Sequence, residues 1–223
     1  MTSTSSSNTG TDTDTEHGMG FYRRQILPRM INVMCGDRNA EPHRRRVCAG
    51  LAGHVLEIGF GSGLNVPFYP DTVSHLTAVD PSEVAWRLAD KRLKASPIPV
   101  HWAGLDGQSL PLPDDSCDSA LSTWTLCTIP DPTAALAEVR RVLKPGGTFH
   151  FVEHGLAPDP SVQRRQRRLD PLEQRLLGGC RLTLPVAETV TAAGFTITDL
   201  DVFYQHGAPR FGGAYSLGIA VAR

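Results

Sequence analysis

The stretch HVLEIGFGSGLN, residues 54–65, decides how the rest of the chain is read. A short apolar run carries a carboxylate, Glu57, and then meets glycines at alternate positions, Gly59, Gly61 and Gly63. An apolar strand that opens into a glycine-rich loop is where α/β proteins bring their backbone against a nucleotide-like ligand. A dinucleotide fingerprint needs G-x-G-x-x-G. Counted from Gly59 the sixth position is Leu64, and the third glycine arrives one residue early. The loop is therefore G-x-G-x-G behind an acid. Taken singly, each glycine also reads as a plain tight turn.

The acid separates two ligand classes. A pyrophosphate beside Glu57 would be repelled at short range, whereas a ligand with a positive centre and no phosphate is favoured. S-adenosylmethionine carries a sulfonium, an ammonium and one carboxylate. Glycines admit its close approach, and amides at the start of the following helix would donate to its carboxylate. A nicotinamide dinucleotide remains the competing reading, and Leu64 and Glu57 weigh against it.

Outward from this loop the pattern alternates. Candidate strands are 54–59, 75–80, 98–103, 116–122 and 147–153. Between them PSEVAWRLADKRLKA (81–95) opens with a favourable first turn, and PTAALAEVRRVLKPGG (132–147) runs to a stop at Pro145, Gly146 and Gly147. Strands alternating with helices of this length predict a mostly parallel sheet covered on both faces. A helical stretch is expected over about 162–193, within a segment, 155–193, that would roof the site. Two final strands, FTITDLDVFYQ and GGAYSLGIAVA, are close enough in sequence to pair antiparallel. Upstream, Ile26, Leu27, Met30, Ile31 and Met34 share one helical face, with Pro28 at an early position and Gly36 as a cap. PHRRRVCAGL (42–51) reads as a second, basic helix.

Composition bounds the rest. The 223 residues suit one domain with a sizeable core, and 40% apolar with 20% charged residues suits a globular chain. Residues 1–20 read as a disordered polar tail, with 21–223 a single domain. Within it, 21–50 would be N-terminal helices, 51–155 the ligand-binding core, and 156–223 substrate-side helices and the last two strands. A net charge of −1 gives no global attraction to nucleic acid, and none is expected as a partner. Five widely spaced cysteines without a C-x-x-C pair fit a reducing cytoplasm, and no run of residues has metal-ligand spacing, so no metal is expected.

Further polar residues fall where ligands bind. Asp80, with Pro81 behind it, ends the second strand 21 residues after Gly59, where a carboxylate would accept both ribose hydroxyls. It also reads as the cap of the helix at Pro81. Asp106, beside Gly107, is a candidate for the adenine amino group, and as readily a solvated turn. Thr123 and Trp124 end the fourth strand at the edge facing the methyl group and the acceptor. His154, at the end of the fifth, is a candidate base or acceptor-orienting group, with Glu153 beside it to orient it or cap a loop. Cys127 could touch the acceptor or serve as small apolar filling, and Cys180 reads alike. Arg164, Arg165, Arg167 and Arg168 form the strongest local charge, either a solvated helix face or an edge for anionic lipid or an anionic substrate.

VLEIGFGSG, AVDPS, LDGQSLPLPDDSCDSALSTWTL and AEVRRVLKPGGTFHFVEHG, in this order, resemble class I S-adenosylmethionine-dependent methyltransferases over about residues 51–155. FYRRQILPRMI, GSGLNVPFY, STWTLCTIPDP, FVEHG and GGCRLT resemble the methyltransferase-like 7 group of thiol S-methyltransferases and their bacterial relatives over about 21–220. The resemblance implies an α/β, Rossmann-like sheet of seven strands, mostly parallel with an antiparallel last strand and helices on both faces. It implies that Glu57, Gly59, Gly61, Gly63, Asp80, Asp106 and Gly107 line the donor site, and that S-adenosylhomocysteine is a product. The animal thiol enzymes carry an N-terminal membrane anchor where this chain has a polar tail. The acceptor it suggests is a small thiol, with phosphatidylethanolamine or another small N- or O-nucleophile as the alternative.

Overall fold

The computed structural model describes residues 20–103 and 109–222. Seven strands form one sheet: β1 (Gly53–Ile58), β2 (Val73–Val79), β3 (Val100–Trp102), β4 (Cys117–Thr123), β5 (Leu143–His154), β6 (Phe195–Tyr204) and β7 (Ala214–Ala222). Their spatial order is β3-β2-β1-β4-β5-β7-β6. The first five pair in parallel, and β7 runs antiparallel to both β5 and β6. The sheet thus has the seven strands and the antiparallel last strand expected from the sequence.

Alternation along β1 sorts its side chains to two apolar layers. Val55 joins Val47 and Cys48 of α2 (Glu41–Cys48) and Ala89 of α3 (Glu83–Ala95). Leu56 and Ile58 join Leu136 and Val139 of α4 (Pro132–Val142) and Val190 of α6 (Val186–Ala192). Two further helices, α1 (Leu27–Met34) and α5 (Pro160–Leu176), complete the set. Phe149 and Phe151 of β5 stack at 5.5 Å and are fully buried. Each such ring contributes on the order of 2 kcal/mol by leaving water.

Several local expectations are corrected. No long helix follows the glycine loop. Only a single 3-10 turn, Val66–Phe68, forms there, because Pro67 and Pro70 deny the amides a longer helix needs. The helix expected from Pro81 begins at Glu83, and its cap is Ser82, whose Oγ accepts the Ala85 amide at 3.2 Å. The KPGG segment does not end α4, which stops at Val142. Lys144–Gly147 instead bulge within β5, with Gly146 at φ +79°. The stretch 162–193 divides into α5 and α6, parted at Gly178 and Gly179, both left-handed.

The apolar face of α1 is also only partly covered. Leu27 is buried, while Ile26, Ile31 and Met34 are exposed. This helix, not 155–193, forms most of the roof over the glycine loop: Leu27, Pro28, Ile31 and Asn32 face the cavity, joined from the later segment by Gly178 alone. It follows a π-helical turn, Tyr22–Ile26, tied down where the Tyr22 hydroxyl donates to the Leu176 carbonyl at 2.7 Å.

Candidate active site

At the carboxyl edge of β1, β2 and β4 lies a cavity of about 360 Å³. That size suits a single small ligand. Its wall holds Gly59, Gly61, Asp80, Pro81, Thr123 and Trp124 of the residues singled out from the sequence. Gly59 and Gly61 are both left-handed, at φ +69° and +57°, and serve different ends. A Cβ on Gly59 would fall 1.9 Å from Thr125 Oγ1, so this glycine lets the loop after β4 close over the strand. A Cβ on Gly61 would meet nothing nearer than the Gly59 carbonyl at 3.8 Å, so it would fill the cavity itself. Gly63 faces away, toward Phe60 and Ala89.

Asp80 is fixed by its own backbone surroundings. Its Oδ2 accepts the Gly61 amide at 2.9 Å, its Oδ1 the Ser82 amide at 2.8 Å, and its carbonyl the Trp102 indole at 2.9 Å. Burial raises the Asp80 carboxyl pKa and the two amides hold it down. A carboxylate offers about four lone-pair sites, so two remain for a vicinal diol.

Glu57 stands behind the wall. It is wholly buried, and its carboxylate accepts Asn65 Nδ2 at 2.7 Å and the Tyr69 hydroxyl. Burial pushes it up to about 7, against the pull of those two bonds and of the Arg44 charge. Asn65 relays to the wall: its Nδ2 also donates to Thr123 Oγ1 at 3.0 Å, and its Oδ1 accepts Arg44 Nη1 at 2.6 Å. Arg44 is itself buried at 4% exposure and lines the cavity, with its guanidinium 4.7 Å from the centre of the Trp124 ring. Trp124 takes φ +51°, a strained value for a bulky residue that is tolerated where a site demands it.

Glu153 does not orient His154. Its carboxylate accepts Ser122 Oγ at 2.6 Å and the amides of Thr125 and Cys127 at 3.1 and 3.4 Å, capping the turn after β4. His154 lies off the cavity wall, edge-on to Tyr215 at 4.8 Å. Cys127 is fully buried beside it, with its sulfur 3.5 Å from that of Cys180. The hydrogen bond between these two free thiols, with His154 facing Cys180, holds the Cys180 thiol well below the usual thiol range. Asp106 and Gly107 lie outside the described residues. Arg164, Arg165, Arg167 and Arg168 are all exposed on α5, around its buried Val162 and Gln166.

Sequence reasoning passed over Arg44, Asn65, Asn32 and Cys35, all on the cavity wall. For Arg44 a signal existed. It sits three and four residues before Val47 and Cys48, on the buried face of a helix whose other arginines are exposed.

A strand-to-glycine-loop edge, a carboxylate at the end of the next strand and a seven-stranded sheet with β7 inserted antiparallel define the class I methyltransferase architecture. Residues 56–151 match the family model of a methyltransferase domain. The chain is 34% identical over 155 residues to the thiol S-methyltransferase TMT1B of Rattus norvegicus, covering 66% of this chain and 62% of that protein. It is 32% identical over 120 residues to a phosphatidylethanolamine N-methyltransferase of Cereibacter sphaeroides, covering 52% and 59%. The chain thus spans somewhat under two thirds of the relatives it matches. A SAM-dependent methyltransferase structure from Thermotoga maritima shares the fold, with TM-score 0.65 at 23% identity over 92% of this chain and 99% of that one. Residues 56–151 thus form a methyltransferase domain on the class I fold, and S-adenosylmethionine is the methyl donor of such a domain. The cavity fits that donor: a cradle open at Gly61 and a carboxylate at Asp80 placed for a ribose.

Proposed function

We propose that the protein transfers the methyl group of S-adenosylmethionine to a small thiol. The observation that carries this reading is the makeup of the cavity wall. Among the described residues, its ionisable groups beyond Asp80 are Cys35 and Arg44, with neither histidine nor lysine. A thiol with a pKa of about 8.5 is a few per cent thiolate at neutral pH and needs no strong base. An amine of pKa near 10 would need one. The identity to thiol S-methyltransferases supports the same acceptor.

Once bound, the donor supplies an electrophilic methyl on a sulfonium, with an excellent leaving group already in place. The protein's work is therefore positional. Asp80 and the Gly59–Gly61 backbone hold the donor, the Arg44–Asn65–Thr123 chain keeps the wall at the end of β4 rigid, and Trp124 and Ile31 exclude water from the acceptor side.

Purified protein incubated with labelled donor and matched panels of thiols and amines tests the reading. Thioether formation with turnover at neutral pH is expected. Methyl transfer to amines or to phosphatidylethanolamine with none to thiols would overturn it. The lipid reading carries with it a peripheral contact of the α5 arginines with anionic headgroups, and liposome binding lost on neutralising Arg164, Arg165, Arg167 and Arg168 would favour it. Among the described residues no helix is long and apolar enough to cross a membrane.

A further inference from the structure

Cys127, His154 and Cys180 come from three separate places: the turn after β4, the last residue of β5 and the loop between α5 and α6. Folding brings their ligand atoms within 4.8 Å of one another. The two sulfurs are 3.5 Å apart, and each lies 3.9 Å from His154 Nδ1. Around a tetrahedral zinc ion, with Zn–S near 2.3 Å and Zn–N near 2.0–2.1 Å, two thiolates stand about 3.8 Å apart and a thiolate and imidazole nitrogen about 3.5 Å. The triangle is within a few tenths of an ångström of one face of such a site.

We propose that Cys127, His154 and Cys180 bind one zinc ion through two thiolates and Nδ1, and that its open fourth position takes the acceptor thiol. The second half rests on the thiol reading above; the first does not. Sulfur and imidazole donors select zinc over magnesium or calcium. No fourth histidine, cysteine or carboxylate among the described residues completes the group, which is the pattern of zinc sites that keep a place for substrate.

The surroundings hold the three ligands in place, as the partners of metal ligands do. The Arg181 amide donates to the Cys127 carbonyl at 2.8 Å, pinning the Cys180 loop to the Cys127 turn. Glu153 accepts the Cys127 amide at 3.4 Å, and Tyr215 stands edge-on to the imidazole. Tyr215 also meets Trp124, a wall residue of the donor cavity, at 5.8 Å. Thr128 and Gly178, neighbours of the ligands in sequence, line the same cavity.

The chemistry balances with the reactants named. An acceptor thiol gives its proton to water as its sulfur binds zinc. A lone pair on that sulfur takes the methyl carbon, and the breaking carbon–sulfonium bond returns its electron pair to the donor sulfur. The products are a neutral thioether, a poorer zinc ligand that leaves, and S-adenosylhomocysteine.

The test uses the full chain, reduced and stripped of metal, then titrated with zinc alone and with cobalt(II) alone. The expected result is about one zinc per chain and, with cobalt, the sulfur-to-metal charge-transfer band and intense visible bands of a tetrahedral thiolate site. Cys180→Ser and His154→Gln should weaken zinc binding at least tenfold with the circular dichroism spectrum unchanged, while Cys48→Ala binds zinc as before. If the reduced wild-type chain takes up neither ion, the zinc proposal fails, and diamide then linking Cys127 to Cys180 would mark them as a redox pair instead. Zinc bound, but equal thiol methylation by loaded and stripped protein, overturns the acceptor role. Zinc bound with methyl transfer only to amines overturns the thiol reading and leaves the metal site standing.

Discussion

Gly61 donates its amide to Asp80 Oδ2 at 2.9 Å, so the glycine loop and the carboxylate at the end of β2 form one unit. The two halves of the proposed donor site, loop and acid, are thereby set in register before any ligand arrives.

Asp80→Asn should keep the fold and lose the donor. The amide is isosteric, but it removes the charge and presents at most one acceptor to the Gly61 and Ser82 amides. Losing hydrogen bonds to a charged group costs roughly 1.5–3 kcal/mol, or about 10- to 150-fold in affinity. Calorimetric titration with S-adenosylhomocysteine reads this, with the unliganded melting temperature as control.

Gly59→Ala and Gly61→Ala should separate stability from binding. Both impose a strained φ, worth about 1–2 kcal/mol. At Gly59 the new methyl also collides with the Thr125 side chain, so the loop after β4 must move and the melting temperature should fall several degrees more than for Gly61. At Gly61 the methyl occupies the cradle, so donor affinity should fall more than stability does.

The raised Glu57 pKa makes a pH prediction. Unfolded, the carboxyl titrates near 4.5, and folded near 7. Between those values the unfolded chain has shed a proton that the folded chain keeps, so stability falls as pH rises through this window and levels off above it. The loss is at most on the order of 3 kcal/mol. Glu57→Gln cannot ionise, and the melting temperatures of the unliganded wild type and variant should diverge from pH 5 to pH 7.5 in the variant's favour. Parallel curves across that range would show that Glu57 titrates normally in the fold.

Asp131, which does not itself line the cavity, offers a control. Its Oδ1 accepts the Thr133 and Ala134 amides at 3.0 Å and caps α4. Asp131→Ala should cost about 1 kcal/mol in urea unfolding and leave donor affinity unchanged.

The sheet and the cavity edge that carries Gly59, Gly61 and Asp80 were legible because their signals are local. The apolar run before Gly59, the acid ending AVD and the two closing strands each lie within a dozen residues. What stayed hidden depends on long-range closure. Cys127 and Cys180 are 53 residues apart and no spacing rule joins them. The roof was expected from the long helical pattern after β5, yet α1 supplies most of it, because Gly178 and Gly179 turn that later segment away after contributing one wall position. Asp80 read as a helix cap because Ser82, two residues on, looked like part of the first turn rather than its start.

The place of β7 between β5 and β6 has a consequence in time. Residues 195–204 form an edge strand whose only partner in the sheet is β7, residues 214–222. As the chain leaves the ribosome, β6 emerges with nothing to pair against, and Tyr215, the ring between His154 and Trp124, is made later still. The glycine-loop end of the domain can assemble during synthesis, whereas the side that Tyr215 closes must wait until β7 is made.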